Sequence, residues 1–103
     1  MSTKLHIVDP PPEEDFNYYS YIDDPGAMFR WPDFDTEDRE GWCISLPNRA
    51  GLWWTTYKAS GTNEMWDVIG VPPNITVKPS INAGDDPGPG NWHGFITNGV
   101  MEP

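Results

Sequence analysis

Short runs of aromatic and β-branched residues, each bounded by glycine, proline or asparagine, fill the second part of the chain: Trp42–Leu46, Leu52–Tyr57, Met65–Ile69, Ile75–Val77 and Trp92–Thr97. Runs of this length and spacing predict strands of a small antiparallel fold. The intervals Pro47–Gly51, Ser60–Asn63 and Gly70–Pro73 carry turn chemistry. Asn98-Gly99, set between Phe95-Ile96-Thr97 and Val100-Met101, is the preferred dipeptide of a type I′ hairpin turn. Residues Asn82–Asn91 contain no periodic apolar position and read as a flexible loop. Trp53 and Trp54 are adjacent, so in a strand they face opposite ways and only one enters the core; Trp42, Trp66 and Trp92 are candidates to complete it. The expected fold is all-β, a small antiparallel sandwich or open barrel over residues 41–103.

Residues 1–40 have a different pattern. Pro10-Pro11-Pro12 forbids helix and favours polyproline II. Pro25-Gly26 marks a turn, and Trp31-Pro32 forces an extended residue before the proline. No helical period appears, and prolines are too frequent for a central strand. These residues are therefore expected to form an extended acidic arm, with the domain boundary at 40/41. Its aromatic residues, Phe16, Tyr18, Tyr19, Tyr21, Phe29, Trp31 and Phe34, are the expected partner-binding set. Aromatic side chains supply contact area at low entropic cost, and a merely solvating tail has no use for them.

Charge sharpens this division. The 103 residues carry a formal net charge of -10, of which residues 9–40 contribute -9. So acidic a chain repels phosphate backbones and anionic lipid head groups, which argues against a direct nucleic-acid or membrane partner. It suits a basic protein partner met by electrostatic steering. No apolar run is long enough to span a bilayer, and no basic-then-apolar leader opens the chain. One cysteine, Cys43, excludes an intrachain disulfide, and its apolar surroundings suggest a buried thiol.

Little in the sequence points to catalysis. Cys43, His6 and His93 are isolated from one another, without the paired ligand spacing of a zinc site. Asp85-Asp86 lacks the alternating acids of a calcium loop. Neither a metal nor another cofactor is expected. Cys43 or Ser80, with His93 as base, are the candidate nucleophiles, but Ser80 lacks the flanking glycines of a nucleophile elbow. Ser80, Trp92 and His93 remain a candidate ligand site.

The segment Pro72-Pro73-Asn74-Ile75-Thr76-Val77-Lys78-Pro79-Ser80-Ile81, a Gly/Asp/Pro loop, and then Trp92-His93-Gly94-Phe95-Ile96-Thr97-Asn98-Gly99-Val100 resembles a family of small uncharacterised proteins of actinobacterial bacteriophages. The resemblance implies a viral origin and carries no activity. With the acidic aromatic arm, it leads to the expectation of a non-enzymatic bacteriophage protein acting by protein–protein interaction. The leading reading is a virion-associated minor capsid or decoration protein, oligomeric or part of an assembly. The alternatives are an inhibitor of a host protein, its acids mimicking nucleic acid, and a small-ligand-binding protein using His93 and the tryptophans. These readings place it in the virion or the host cytoplasm.

Overall fold

Two sheets pack face to face in a computed structural model that describes residues 2–58, 63–83 and 90–103. The strands are β1 (Thr3–Lys4), β2 (His6–Ile7), β3 (Ala27–Arg30), β4 (Trp42–Ser45), β5 (Leu52–Trp54), β6 (Asp67–Val71), β7 (Asn74–Ala83), β8 (Trp92–Thr97) and β9 (Val100–Glu102). One sheet has the order β1-β9-β8-β7-β6 and the other β2-β3-β4-β5. All neighbouring strands run antiparallel except β2 and β3. The fold is an all-β sandwich. The expected loop at 82–91 and the turn at 60–63 fall largely on residues 84–89 and 59–62, outside the described residues, as does Asp85-Asp86.

The division at 40/41 is not how the molecule is built. Residues 3–30 supply three strands, and β3 is an inner strand of the four-stranded sheet. The chain crosses from one sheet to the other at Leu5, which is 1% exposed between β1 and β2. The physical reason is the second sheet's need for partners: without β3, strand β4 would leave the row Met28–Ile44 and Phe29–Cys43 unpaired along one edge. The rest of the first 40 residues, with single 3-10 turns at Glu13–Asp15 and Pro32–Phe34, lays Val8, Phe16, Tyr21 and Phe34 over the outer face of this sheet.

Alternation explains both cores. Met28, Ile44 and Trp53 are cross-strand neighbours facing the other sheet, where they meet Leu5, Ile75, Val77, Ile81, Trp92, Ile96 and Met101. Their chain neighbours Phe29, Cys43 and Trp54 face the opposite way, into a second cluster with Trp31 and Leu52. Val8, Phe16, Tyr21 and Phe34 close over that cluster. The four-stranded sheet is thus covered on both faces, whereas β8 shows the strict buried–exposed alternation of a sheet with one open face.

Two irregularities shape the five-stranded sheet. Pro79 cannot donate to a ladder, and it sits in β7 where the register against β8 shifts between Val77 and Ile81. At the other end, Asn98 (φ 47°) and Gly99 (φ 78°) join β8 to β9 with the positive angles that a type I′ turn needs. A Cβ on Gly99 would also stand 2.7 Å from the Pro73 carbonyl oxygen. Gly99→Val is expected to cost on the order of 1–3 kcal/mol, the usual penalty for a side chain forced into this region. A thermal melt left unchanged by the substitution would refute this account of the turn.

Candidate interaction surface

The cover over the four-stranded sheet is built from the acidic segment. Its apolar residues turn inward: Phe16 stacks on Trp31 with ring centroids 4.2 Å apart, and Phe34 stacks on Trp54 at 4.7 Å. Tyr21 packs against Phe29 at 5.5 Å while its hydroxyl donates to the Asp9 carbonyl. Acids flanking these anchors are left outside: Glu13, Glu14 and Asp15 precede Phe16, and Asp33 and Asp35 bracket Phe34, all exposed. The aromatic anchors thus fix an otherwise non-regular chain and hold its carboxylates in a defined array.

Polar contacts hold both ends of this cover. Arg30 makes a paired contact with Asp35, Nη1 to Oδ1 at 2.6 Å and Nη2 to Oδ2 at 2.8 Å. The Gly41 N–H donates to the same Asp35 oxygen at 2.6 Å. The guanidinium first, then that N–H, hold the Asp35 carboxyl below its ordinary range. Arg39 reaches across to donate to the carbonyls of Thr55 and Trp66, each at 2.7 Å. Nearer the start, His6 Nε2 lies 3.1 Å from Asp24, and this hydrogen bond raises the imidazole's pKa.

Of the seven aromatic residues expected to face a partner, the structure leaves two outside. Tyr18 is 47% and Tyr19 62% exposed, their rings edge-on at 5.4 Å. Phe29 and Trp31 are buried, and Phe16, Tyr21 and Phe34 are half-buried against them. These five are therefore not a free binding surface; the sheet's own outer face claims them. Tyr18 is also tied down, its hydroxyl donating to the Ala50 carbonyl at 3.1 Å. Burial is the main cause raising its phenol pKa.

Tyr18 and Tyr19 stand at a cleft of about 400 Å³ that is also lined by Trp53, Tyr57 and Trp66. Trp66 meets Trp53 edge-on at 5.8 Å and Tyr57 at 6.1 Å, so rings of several orientations face one space. Arg49 is on the same wall, but its guanidinium is hydrogen-bonded to Asp23, which offsets its charge. No carboxylate is among the described lining residues; exposed ring faces such as those of Tyr18 and Tyr19 attract a cationic side chain, worth roughly 0.5–2 kcal/mol for each well-placed contact.

The second candidate group divides. Ser80 and His93 are brought together on the outer face of the five-stranded sheet, Oγ to Nε2 at 3.1 Å. Trp92 is not with them: it precedes His93 in β8 and so points into the core, 8% exposed. A shared Ser80–Trp92–His93 ligand site is excluded by that alternation. A serine–histidine contact is one part of a nucleophilic site, which also needs an orienting group for the base and donors for the oxyanion. Here the imidazole is exposed to water. Cys43 is buried, and burial pushes its thiol pKa up to about 12, away from the reactive thiolate form. Among the described residues no group of three or more His, Cys, Asp or Glu is placed to hold a metal ion, and no helix is long and apolar enough to cross a membrane.

No protein-family model, curated protein or solved structure matches this chain. The sequence did not mark Ile7, Tyr57, Ile69, Val71 and Phe95 as surface residues; of these, Ile69, Val71 and Phe95, which are 59%, 76% and 52% exposed, belong to the five-stranded sheet. The alternation of Trp92–Thr97 already puts Phe95 on the face opposite Trp92. What strand periodicity alone did not supply is that none of the described residues covers that face.

Proposed function

We propose that this protein acts without catalysis, by binding a basic protein surface through its acidic cover, as a virion-associated minor capsid or decoration protein of a bacteriophage. The observation that carries the reading is that the acidic segment also supplies two rings of an aromatic cleft: residues 9–40 bear -9, and Tyr18 and Tyr19 are the segment's exposed rings. Steering by such an array speeds encounter and sets register, while the cleft takes lysine or arginine side chains of the partner. The resemblance of residues 72–100 to actinobacteriophage proteins supports the viral setting.

Mass spectrometry of purified particles tests the setting, and binding to dissociated capsid protein tests the surface. The protein is expected in the particles at a fixed ratio to capsid protein. Tyr19→Ala combined with Glu13→Lys and Glu14→Lys is expected to weaken binding at least about tenfold, because a hot-spot ring and steering charges are lost together. Binding of the native protein is expected to weaken with added salt, as exposed charges are screened beyond roughly 8–10 Å. Absence from particles, with retained binding to a basic host protein, would move the partner from virion to host. Unchanged binding by the triple variant would refute the acidic surface itself.

A further inference from the structure

Among the described residues, none covers the outer face of the five-stranded sheet, and its composition differs from the rest of the molecule. Register places Lys4, Val100, Thr97, Thr76 and Ile69 in one row across it. Phe95 stands opposite Glu102, and Asp67 opposite Lys78, in the adjoining positions. Val71 extends the apolar surface along β6, two residues beyond Ile69. The charged residues on the face are thus Lys4 and Lys78 against Asp67 and Glu102, a balanced set in a protein of net charge -10. Asp38 and Glu40 lie at the flank, beside Val68 and Gly70, rather than on the face.

We infer that this face is the contact between two copies of the chain, packed sheet to sheet about a twofold axis. Charge selects the occupant. Two molecules of net charge -10 repel least where the facing patches are neutral, and a self-facing patch with equal lysines and carboxylates meets that condition. The acidic cover belongs to the opposite sheet. The shortest dimension of the protein is 26 Å, so two covers on a face-to-face pair are held on the order of 50 Å apart, several Debye lengths at physiological salt. The edges of this sheet offer short contacts: β1 has two residues, and β6 has five with Gly70 at φ +102° among them.

Area sets the strength. A five-stranded sheet with strands about 4.8 Å apart and about 18 Å long presents on the order of 450 Å² per copy, near 900 Å² in total. That is below the roughly 1,200–2,000 Å² of tight, specific interfaces, so the dimer is weak and reversible. It presents two acidic covers outward, which would give a repetitive partner a bivalent ligand. This surface is separate from the acidic cover on which the proposed function rests.

Sedimentation equilibrium of the full chain, from about 5 to 500 μM, tests the inference by resolving dissociation constants in the range expected for such small interfaces. The weight-average mass is expected to rise from monomer towards dimer, and to rise further when salt screens the net repulsion. Phe95→Asp and, separately, Val71→Asp are expected to weaken association at least tenfold. Both residues are exposed, so the melting temperature of each variant serves as the check on folding. Tyr19→Ala, on the other surface, is expected to leave association unchanged. A monomer at the highest concentration, or dimerisation untouched by both face variants, would overturn the inference and leave the acidic-cover reading standing. Loss of association by Tyr19→Ala, with the face variants silent, would overturn it as well.

Discussion

A chain shortened to residues 41–103 is expected to have no cooperative fold in water at 25 °C. The truncation removes β1, β2 and β3, and with them the ladder on the free side of β4. It also removes four large buried side chains, Leu5, Met28, Phe29 and Trp31, each at most 9% exposed. At roughly 1.5–3 kcal/mol for each large apolar side chain buried, this is about 6–12 kcal/mol. A domain of this kind has only about 5–15 kcal/mol of total stability, so the loss takes most or all of it. The rest of the cover goes too, leaving Cys43, Leu52 and Trp54 facing water. The check is amide chemical-shift dispersion by NMR together with a thermal melt. Narrow dispersion and no sigmoidal transition are expected; a dispersed spectrum with a cooperative melt would show that residues 41–103 are an independent domain after all.

Phe29→Ala is expected to be the most damaging single substitution, costing about 3–5 kcal/mol as a buried phenylalanine is truncated and its space left unfilled. Phe29 is fully buried, and its ring contacts those of Phe16, Tyr21 and Trp31 at centroid distances of 6.3, 5.5 and 6.2 Å. It is the point where strand β3 and the overlying segment share one set of contacts. Emptying it loosens the sheet and the cover together, so the acidic array should lose its fixed geometry as well. Phe29→Leu keeps most of the volume and is expected to cost about 1–1.5 kcal/mol. Tyr19→Ala, at an exposed ring, should stay within about 0.5 kcal/mol of the native protein. Urea melts of the three variants give the ranking directly. If Phe29→Ala and Tyr19→Ala proved equally mild, the second aromatic cluster would not be a core.

The contrast between these two regions explains what was readable in advance. Strands β4, β5 and β8 lie where the runs Trp42–Leu46, Leu52–Tyr57 and Trp92–Thr97 predicted them, because β-branched and aromatic residues between turn signals are a local property. The Asn98-Gly99 hairpin was legible for the same reason, since its positive φ angles are demanded within two residues. Trp53 and Trp54 divide between the two clusters as adjacent strand residues must. Strand β3 gave no such signal. Ala27-Met28-Phe29 are all buried, so the alternation that marks a half-exposed strand is missing. The prolines and acids around it belong to the cover and read as an arm.

The sequence by itself thus determined the all-β class, the short strands β4, β5 and β8, the type I′ turn and the concentration of charge in residues 9–40. Each follows from conformational preferences or charges that neighbouring residues carry with them. Strand β7, by contrast, runs over Asn74–Ala83, well beyond the expected Ile75–Val77. The tertiary structure alone decided that residues 3–30 complete both sheets, that five of seven aromatic residues in the acidic segment turn inward, and that Ile69, Val71 and Phe95 stay exposed. It also brought Ser80 beside His93 while sending Trp92 to the other side of β8. Those outcomes depend on which sheet face finds a cover. That is a long-range competition for burial, settled by pairings such as β1 with β9 at opposite ends of the chain, and local sequence does not encode it.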